Sequence, residues 1–309
     1  NSPESFRFFR TGGARPQTEE MIKFIDLNRK QYGVEPICKV IPIAPATYYE
    51  WKAKEKNPEL RSQRAKSDEI LKKNVLRIWN ENFQVYGVRK IWKQLNREGI
   101  KVARCTTERL MKLQGIQGAR RGKAFKNCVD ENLADRPRDL VNREFIADRP
   151  NQLWVADITY IRTWAGWVFT AFVIDVFNCS IVGWKTSTPI KTCLALDALE
   201  QAIHDREIQE PLIHHSDRGV QYLSIKYTER LAEAGLTGSV GTKGDSYDNA
   251  LAETINGLYK TELIRRKGPW RNMEQVEFAT LNWVDWFNKK RIMKRLNYMS
   301  PDEYEKLYI

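Results

Sequence analysis

Histidine is scarce in this chain, with only His204, His214 and His215 among 309 residues. Neither Cys-x-x-Cys nor His-Glu-x-x-His occurs, and the five cysteines (Cys38, Cys105, Cys128, Cys179 and Cys193) are scattered and match no motif. These absences argue against a zinc module and a disulfide scaffold. They predict buried free thiols in a reducing cytoplasm. No apolar run reaches transmembrane length and no basic-plus-apolar leader opens the chain, so neither membrane insertion nor export is expected. Acid is short in the front half alone. Residues 1–150 carry 32 Lys and Arg against 19 Asp and Glu, a balance of +13, whereas residues 151–309 carry 19 against 20. The net charge of +12 is therefore a basic front attached to a neutral back, which suits a phosphate-binding part joined to a part that does chemistry.

Residues 1–18 lack periodicity and are expected to be a disordered lead or an expression remnant. Residues 19–56 read as a helix-turn-helix-like unit. Thr18 is positioned to cap a helix whose apolar residues are Met21, Ile22, Ile25 and Tyr32, and Gly33 to end it. Ile37, Val40 and Ile41 suggest a second short helix, and Ala44-Pro45 starts a third. A linker rich in Lys, Pro, Arg and Ser follows at about 52–66. Residues 67–122 form a second helical DNA-binding unit, with Thr106 or Thr107 as the cap of its last helix and Arg104, Arg109 and Lys112 on or beside that helix. Residues 123–150 are a basic connector. Around its start, Arg120, Arg121, Lys123 and Lys126 suit backbone phosphates.

From Gln152 the pattern turns to strands. Three β-branched and aromatic runs, with turns at Gly166 and Asn178, precede an amphipathic helix over 191–207, a strand ending near Asp217, a helix over 224–235, the strand Leu236–Val240 and one long helix over 249–264. The fold class expected is multidomain. All-α helix-turn-helix units come first, followed by an α/β ribonuclease H-like catalytic domain with a mixed five-stranded sheet over 151–265 and a helical extension over 266–309. In that extension Trp283, Trp286 and Phe287 stand at i+3 and i+4 spacing and read as core, not as a base-stacking platform.

Candidate chemistry centres on carboxylates. His214 and His215 alternate to opposite faces of their strand and cannot easily share an ion, while His215 and Asp217 share one side. Asp157 interrupts an apolar strand, which is costly unless it is paired or binds a cation. If the first and fourth strands are neighbours, Asp157 and Asp217 approach each other and call for a divalent counter-charge. Asn249, Glu253, Asn256 and Lys260 fall on one helical face. Acidic oxygens without sulfur or paired imidazoles favour Mg²⁺ or Mn²⁺, and two such ions can serve phosphodiester chemistry. Asp175, Asp245 and Asp248 are rival acids; Asp175 suits a turn and Asp248 a helix cap. Lys243 and Arg218 are loop charges that suit DNA or plain solvent. His215 and Asn249 are candidate supporting residues.

Asp157, Asp217 and Glu253, the last two separated by thirty-five residues, together with HHSDRGVQY, GDSYDNALAE, YGVRKIW and WFNKKR in that chain, resemble the DDE integrase-core transposases. The likeness is to the catalytic-frame protein of two-frame bacterial insertion sequences, relatives of retroviral integrases, and it spans about Met21 to Ile309. The resemblance implies that these three acids are catalytic metal ligands for two Mg²⁺ ions, with Mn²⁺ able to substitute. It further implies cleavage of DNA at the element's ends, strand transfer by the exposed 3′-hydroxyl, and a contact from Lys260 near the scissile phosphate. Partners implied are transposon-end and target DNA, further copies of the chain as a dimer or higher assembly on paired ends, and an upstream-frame protein. The location implied is cytoplasmic, at the bacterial nucleoid. Two departures stand out: there is no N-terminal His/Cys zinc module, and no sustained heptad run is visible. The alternatives from the residues are a ribonuclease H-type nuclease that only hydrolyses and a non-catalytic DNA-binding regulator.

The asymmetric charge predicts DNA binding that weakens steeply with salt, because lysine and arginine contacts release counterions. A fluorescence-anisotropy titration at two ionic strengths checks this, and a flat affinity overturns the role assigned to residues 1–150.

Overall fold

The computed structural model describes residues 17–120, 141, 145–217, 219–241 and 249–308. Most of the expected lead and connector lie outside these, as do Arg121, Lys123, Lys126, Arg218, Lys243, Asp245 and Asp248. The chain divides into two compact units, Asn1–Lys73 and Asn74–Ile309.

The first unit holds α1 (Thr18–Tyr32), α2 (Val34–Val40) and α3 (Pro45–Lys56). Met21, Ile22 and Ile25 recur on one face of α1 and bury against Ile37, Cys38, Ile41, Ile43 and Tyr48. The Tyr48 hydroxyl donates to Asp26 Oδ1 at 2.8 Å, and Lys52 Nζ donates to Asp26 Oδ2 at 3.1 Å, which ties α3 to α1. Gly33, at φ 78°, ends α1, a conformation that glycine adopts without a Cβ penalty. Thr18 is not the cap: Gln17 precedes the helix and makes no side-chain bond there. The linker is also shorter than the composition implies. α4 (Gln63–Glu81) begins at Gln63, because Gln-Arg-Ala-Lys are strong helix formers despite their polarity.

In the second unit, α5 (Val88–Arg97) and α6 (Arg104–Leu113) follow α4. Neither threonine caps α6. Ala103 holds the cap position, and Thr107 lies inside the helix, fully buried, donating its hydroxyl back to the Ala103 carbonyl at 3.4 Å.

Five strands then form one sheet in the order β3-β2-β1-β4-β5: β1 (Leu153–Thr163), β2 (Gly166–Asp175), β3 (Ile181–Ser187), β4 (Leu212–Ser216) and β5 (Leu236–Val240). The first three are antiparallel, whereas β4 runs parallel to both β1 and β5. The sheet is mixed and five-stranded, with helices on both faces. Period-two alternation assigns the faces. Trp154, Ala156, Ala171 and Val173 pack with α7 (Thr192–Asp205) and α8 (Ile225–Glu233). Leu153, Val155, Phe172 and Ile174 pack with α9 (Ala250–Tyr259) and α11 (Met273–Lys289).

Between α9 and α11 the helical path widens into a π turn over Lys260–Ile264 and closes with α10 (Arg265–Lys267), so the expected long helix is an α–π–α segment. α12 (Pro301–Glu305) follows, opened by a capping box at Ser300. Trp283, Trp286 and Phe287 are buried in the shared core. That same core takes in Val75, Ile78, Tyr86, Ile91 and Leu95 from α4 and α5 or the loop between them. Among the described cysteines Cys38 and Cys179 are buried but Cys105 and Cys193 are exposed, so burial does not hold for every thiol. No described helix is long and apolar enough to cross a membrane.

α7 approaches β3 so closely at Gly183 that a Cβ there would collide with the Ala198 carbonyl oxygen and stand 3.0 Å from Ala202 Cβ. Overpacking in a well-packed layer costs about 1–3 kcal/mol. Gly183→Ala is expected to lower stability by that amount in urea unfolding; an unchanged midpoint overturns the packing assigned to this layer.

Candidate active site

β1 pairs with β4 only as far as Ala156 opposite Ser216. Asp157 is the next residue on β1 and Asp217 the next after β4, so the parallel register that builds the sheet also brings the two acids to the same level. Asp157 Oδ1 accepts the Ile158 amide at 2.8 Å, and Oδ2 accepts Asn256 Nδ2 at 2.8 Å. Burial pushes the Asp157 carboxyl up to about 7, and repulsion from Asp217 and, more weakly, Glu253 adds to this.

Asp217 Oδ1 accepts the Gly219 amide at 2.9 Å. Its carboxyl reaches solvent, yet enough protein crowds it that burial raises its proton affinity; the Gly219 bond and the His215 imidazole pull the other way. Glu253, exposed in the first turn of α9, is raised by partial burial and then by Asp217.

α9 carries the rest of the expected face. Asn249 Nδ2 donates to the Ala156 carbonyl at 2.8 Å, which anchors the start of α9 beside the carboxylates. Lys260 opens the π turn, with Nζ 4.3 Å from the centre of the Tyr160 ring. Burial lowers its proton affinity while the charge of Asp157 raises it.

The histidines separate as the alternation requires. His214 shares a hydrogen bond of 3.1 Å with Tyr227 on the α8 side and is pushed down to about 4 by burial. His215 shares one of 2.9 Å with Ser239 and meets the edge of Phe145. Asp175 is fully buried and accepts the amides of Asn151 and Phe177 at 2.8 and 3.0 Å, a turn-holding role. Arg104, Lys112 and Arg120 are exposed on or after α6, and Arg109 is half-buried there. They lie on a different element from the carboxylates. Two neighbours escaped the sequence reading: Tyr160, whose surroundings include Lys260 far along the chain, and Tyr222, whose buried hydroxyl has no hydrogen-bond partner among the described residues and feels the charges of Asp157 and Asp217.

The donor chemistry fits a hard divalent cation. Burial raises the proton affinity of all three carboxylates, Asp217 adds to this at Asp157 and Glu253, and among the described residues none of the three is in an ion pair. Asn249 Oδ1 and Asn256 Oδ1 are buried acceptors with no donor among the described residues, an arrangement that costs free energy unless a cation or water meets it. Among the described residues, however, no three acidic, imidazole or thiol groups converge into a closed ligand set.

The comparisons with known proteins agree along the chain. A family model described as an integrase core domain matches residues 147–246, a second integrase core model matches 234–301, and an HTH-like domain model matches 66–124. The transposase of insertion sequence element IS629 from Shigella sonnei is 52% identical over 288 residues, covering 93% of this chain and 96% of that one. A putative transposase of IS986/IS6110 from Mycobacterium tuberculosis is 50% identical over 273 residues, 87% of this chain and 96% of the relative. Among solved structures, the HTLV-2 integrase catalytic core domain in complex with magnesium superimposes with a TM-score of 0.42 at 18% identity, over 52% of this chain and 99% of that one.

The raised carboxylates have a measurable consequence. In the unfolded chain an aspartate ionises near 3.8, whereas folded Asp157 keeps its proton up to about 7. The folded state binds more protons across that window, so stability falls as pH rises through it. In chelator-treated protein the thermal midpoint is expected to fall between about pH 4 and pH 7, and Asp157→Asn to flatten the decline. An equal slope in the variant overturns the assignment.

Proposed function

The chain belongs to the family of insertion-sequence transposases with an integrase core, and from that premise we propose that Asp157, Asp217 and Glu253 are the groups at which it cuts and joins DNA. The observation that carries this is the junction of β1 and β4, which brings two carboxylates to one level with neither in an ion pair among the described residues.

DNA is the substrate, and the reaction is phosphodiester hydrolysis followed by transesterification. Water attacks the phosphorus at the element's end and the 3′-oxygen leaves with a proton. The freed 3′-hydroxyl then attacks a second phosphodiester, whose own 3′-oxygen departs. The three carboxylates would hold Mg²⁺, two ions in all, with Mn²⁺ as a substitute. When bound, such ions activate the attacking oxygen and offset charge on the leaving one.

The chain's own residues set the frame. Asn256 holds one Asp157 oxygen and the Ile158 amide holds the other, so that carboxylate is fixed in orientation. The Gly219 amide does the same for Asp217. Lys260 offers a half-desolvated ammonium beside Asp157, suited to a phosphate oxygen next to the reacting one.

Arg104, Arg109, Lys112 and Arg120, with Arg121, Lys123 and Lys243 of the segments not described, are assigned to DNA backbone contacts. The helices of 19–56 and 67–122 are assigned to recognition of the ends. Two ends must be held at once, which calls for two or more copies of the chain. An upstream-frame protein would share end recognition, at the bacterial nucleoid.

Glu253→Gln and Asp217→Asn are each expected to lower 3′-end joining by more than about a hundred-fold, the order seen when one preorganised electrostatic group is removed. Labelled DNA carrying the element's ends, incubated with Mg²⁺ and with chelator, gives the readout. Joining by either variant at the wild-type rate overturns the assignment, and nicking without joining by the wild type favours a nuclease.

A further inference from the structure

β1 outruns its parallel partner. Beyond Asp157 it continues to Thr163 beside β2, with a single bridge from Thr163 to Trp270 on its other side, and the resulting hairpin exposes three aromatic side chains. Tyr160 is 57% exposed, Trp167 48% and Trp164, in the turn, 72%. Cross-strand register places Tyr160 opposite Phe169 and Arg162 opposite Trp167, so Tyr160, Arg162 and Trp167 share one face. Tyr160 and Trp167 meet edge to face at 5.6 Å. Each ring carries a cation: Lys260 Nζ lies 4.3 Å from the Tyr160 centroid and the Arg162 guanidinium 5.1 Å from that of Trp167.

The turn is clamped, because the Trp164 and Ala165 amides donate to the Trp270 and Arg271 carbonyls at 3.0 Å. Residues 158–169 contain no acid. A contiguous exposed aromatic patch marks a binding surface, and its charge selects a polyanion. Aromatic faces flanked by Arg and Lys are what unpaired bases stack on, whatever their sequence. Duplex DNA hides those faces. Lys260 belongs to this ridge and also feels the charge of Asp157, so the ridge begins one side chain from the carboxylates.

We propose that the ridge of Tyr160, Arg162 and Trp167 is a stacking platform for unpaired nucleotides of the DNA strand next to the reacting phosphate. The proposal rests on the transposase reading for what occupies the site, not on which residue performs the chemistry.

The test uses the full chain carrying Glu253→Gln, so that binding is read without turnover. The probe is a duplex with an unpaired thymidine overhang containing 5-iodouracil, which crosslinks to stacked aromatic residues under near-ultraviolet light; a blunt duplex of the same sequence is the control. Adducts are expected on peptides holding Tyr160 or Trp167. Tyr160→Ala and Trp167→Ala are expected to weaken binding of the overhang relative to the blunt probe by about ten-fold, with Trp167→Phe restoring most of it. Arg162→Gln, at an exposed position, gives a smaller loss and guards against a misfolded variant. Adducts confined to other residues overturn the proposal, as does an equal loss on both probes, which means a backbone contact. A change in sedimentation with overhang binding intact also overturns it, making the ridge a contact between copies of the chain. Retained joining by Glu253→Gln would sink the triad assignment and leave the crosslinking result standing.

Discussion

Leu153–Ala156 pair in parallel with Ile213–Ser216, and where that pairing stops determines where two carboxylates meet. A parallel ladder needs a long crossover between its strands, which here is supplied by β2, β3 and α7. The acids are thus sixty residues apart in the chain and adjacent in the fold. The ladder makes Asp157 expensive, because its carboxyl is buried beside a like charge. The neighbouring groups divide that cost. Asn256 and the Ile158 amide satisfy the oxygens, and what they leave is charge, which a divalent cation would offset.

The π turn after α9 continues the same logic. The wider turn shifts the phase of the helix between Asn256, which faces Asp157, and Glu262, which faces Arg291 in a buried bidentate pair at 2.9 and 2.6 Å. A buried ion pair of this kind adds little net stability but specifies geometry where both partners are satisfied. It joins the Lys260 turn to the loop after α11. That loop is held in turn by Tyr86, whose hydroxyl donates to the Lys290 carbonyl and accepts the Ile292 amide.

Much of the fold was legible because its signals are local. The β-branched and aromatic residues of Leu153–Thr163 marked a strand, and Asp157 stood out within it because a carboxyl buried in a sheet is costly without a partner. The tryptophans of α11 read as core from their spacing and are core. Helix starts were misread where a threonine stood near the right place, because capping propensity is weak against packing: Thr107 is buried inside α6 and Ala103 holds the cap position. The π turn left no trace in the periodicity, since one extra residue in sixteen falls within the scatter of any amphipathic pattern. Tyr160 was invisible for another reason. Its surroundings depend on where β4 ends and on Lys260 a hundred residues later, and neither is a property of the strand that carries it.

The core shared by α4, α5 and α11 couples segments made at very different times. Trp286 stacks on Phe83 at 4.9 Å and donates to Asn82, while Tyr86 bonds to Ile292, 206 residues downstream. At about 5–20 residues per second of synthesis, that interval lasts about 10–40 s. Through it, the face of the helical unit that later meets Trp286 has no cover of its own and is open to chaperones, proteases and other nascent chains. The segment from Trp286 to Ile292 therefore acts as a completion mark: the helical unit built on α4 and α5 reaches its finished packing only once the ribosome has passed Ile292.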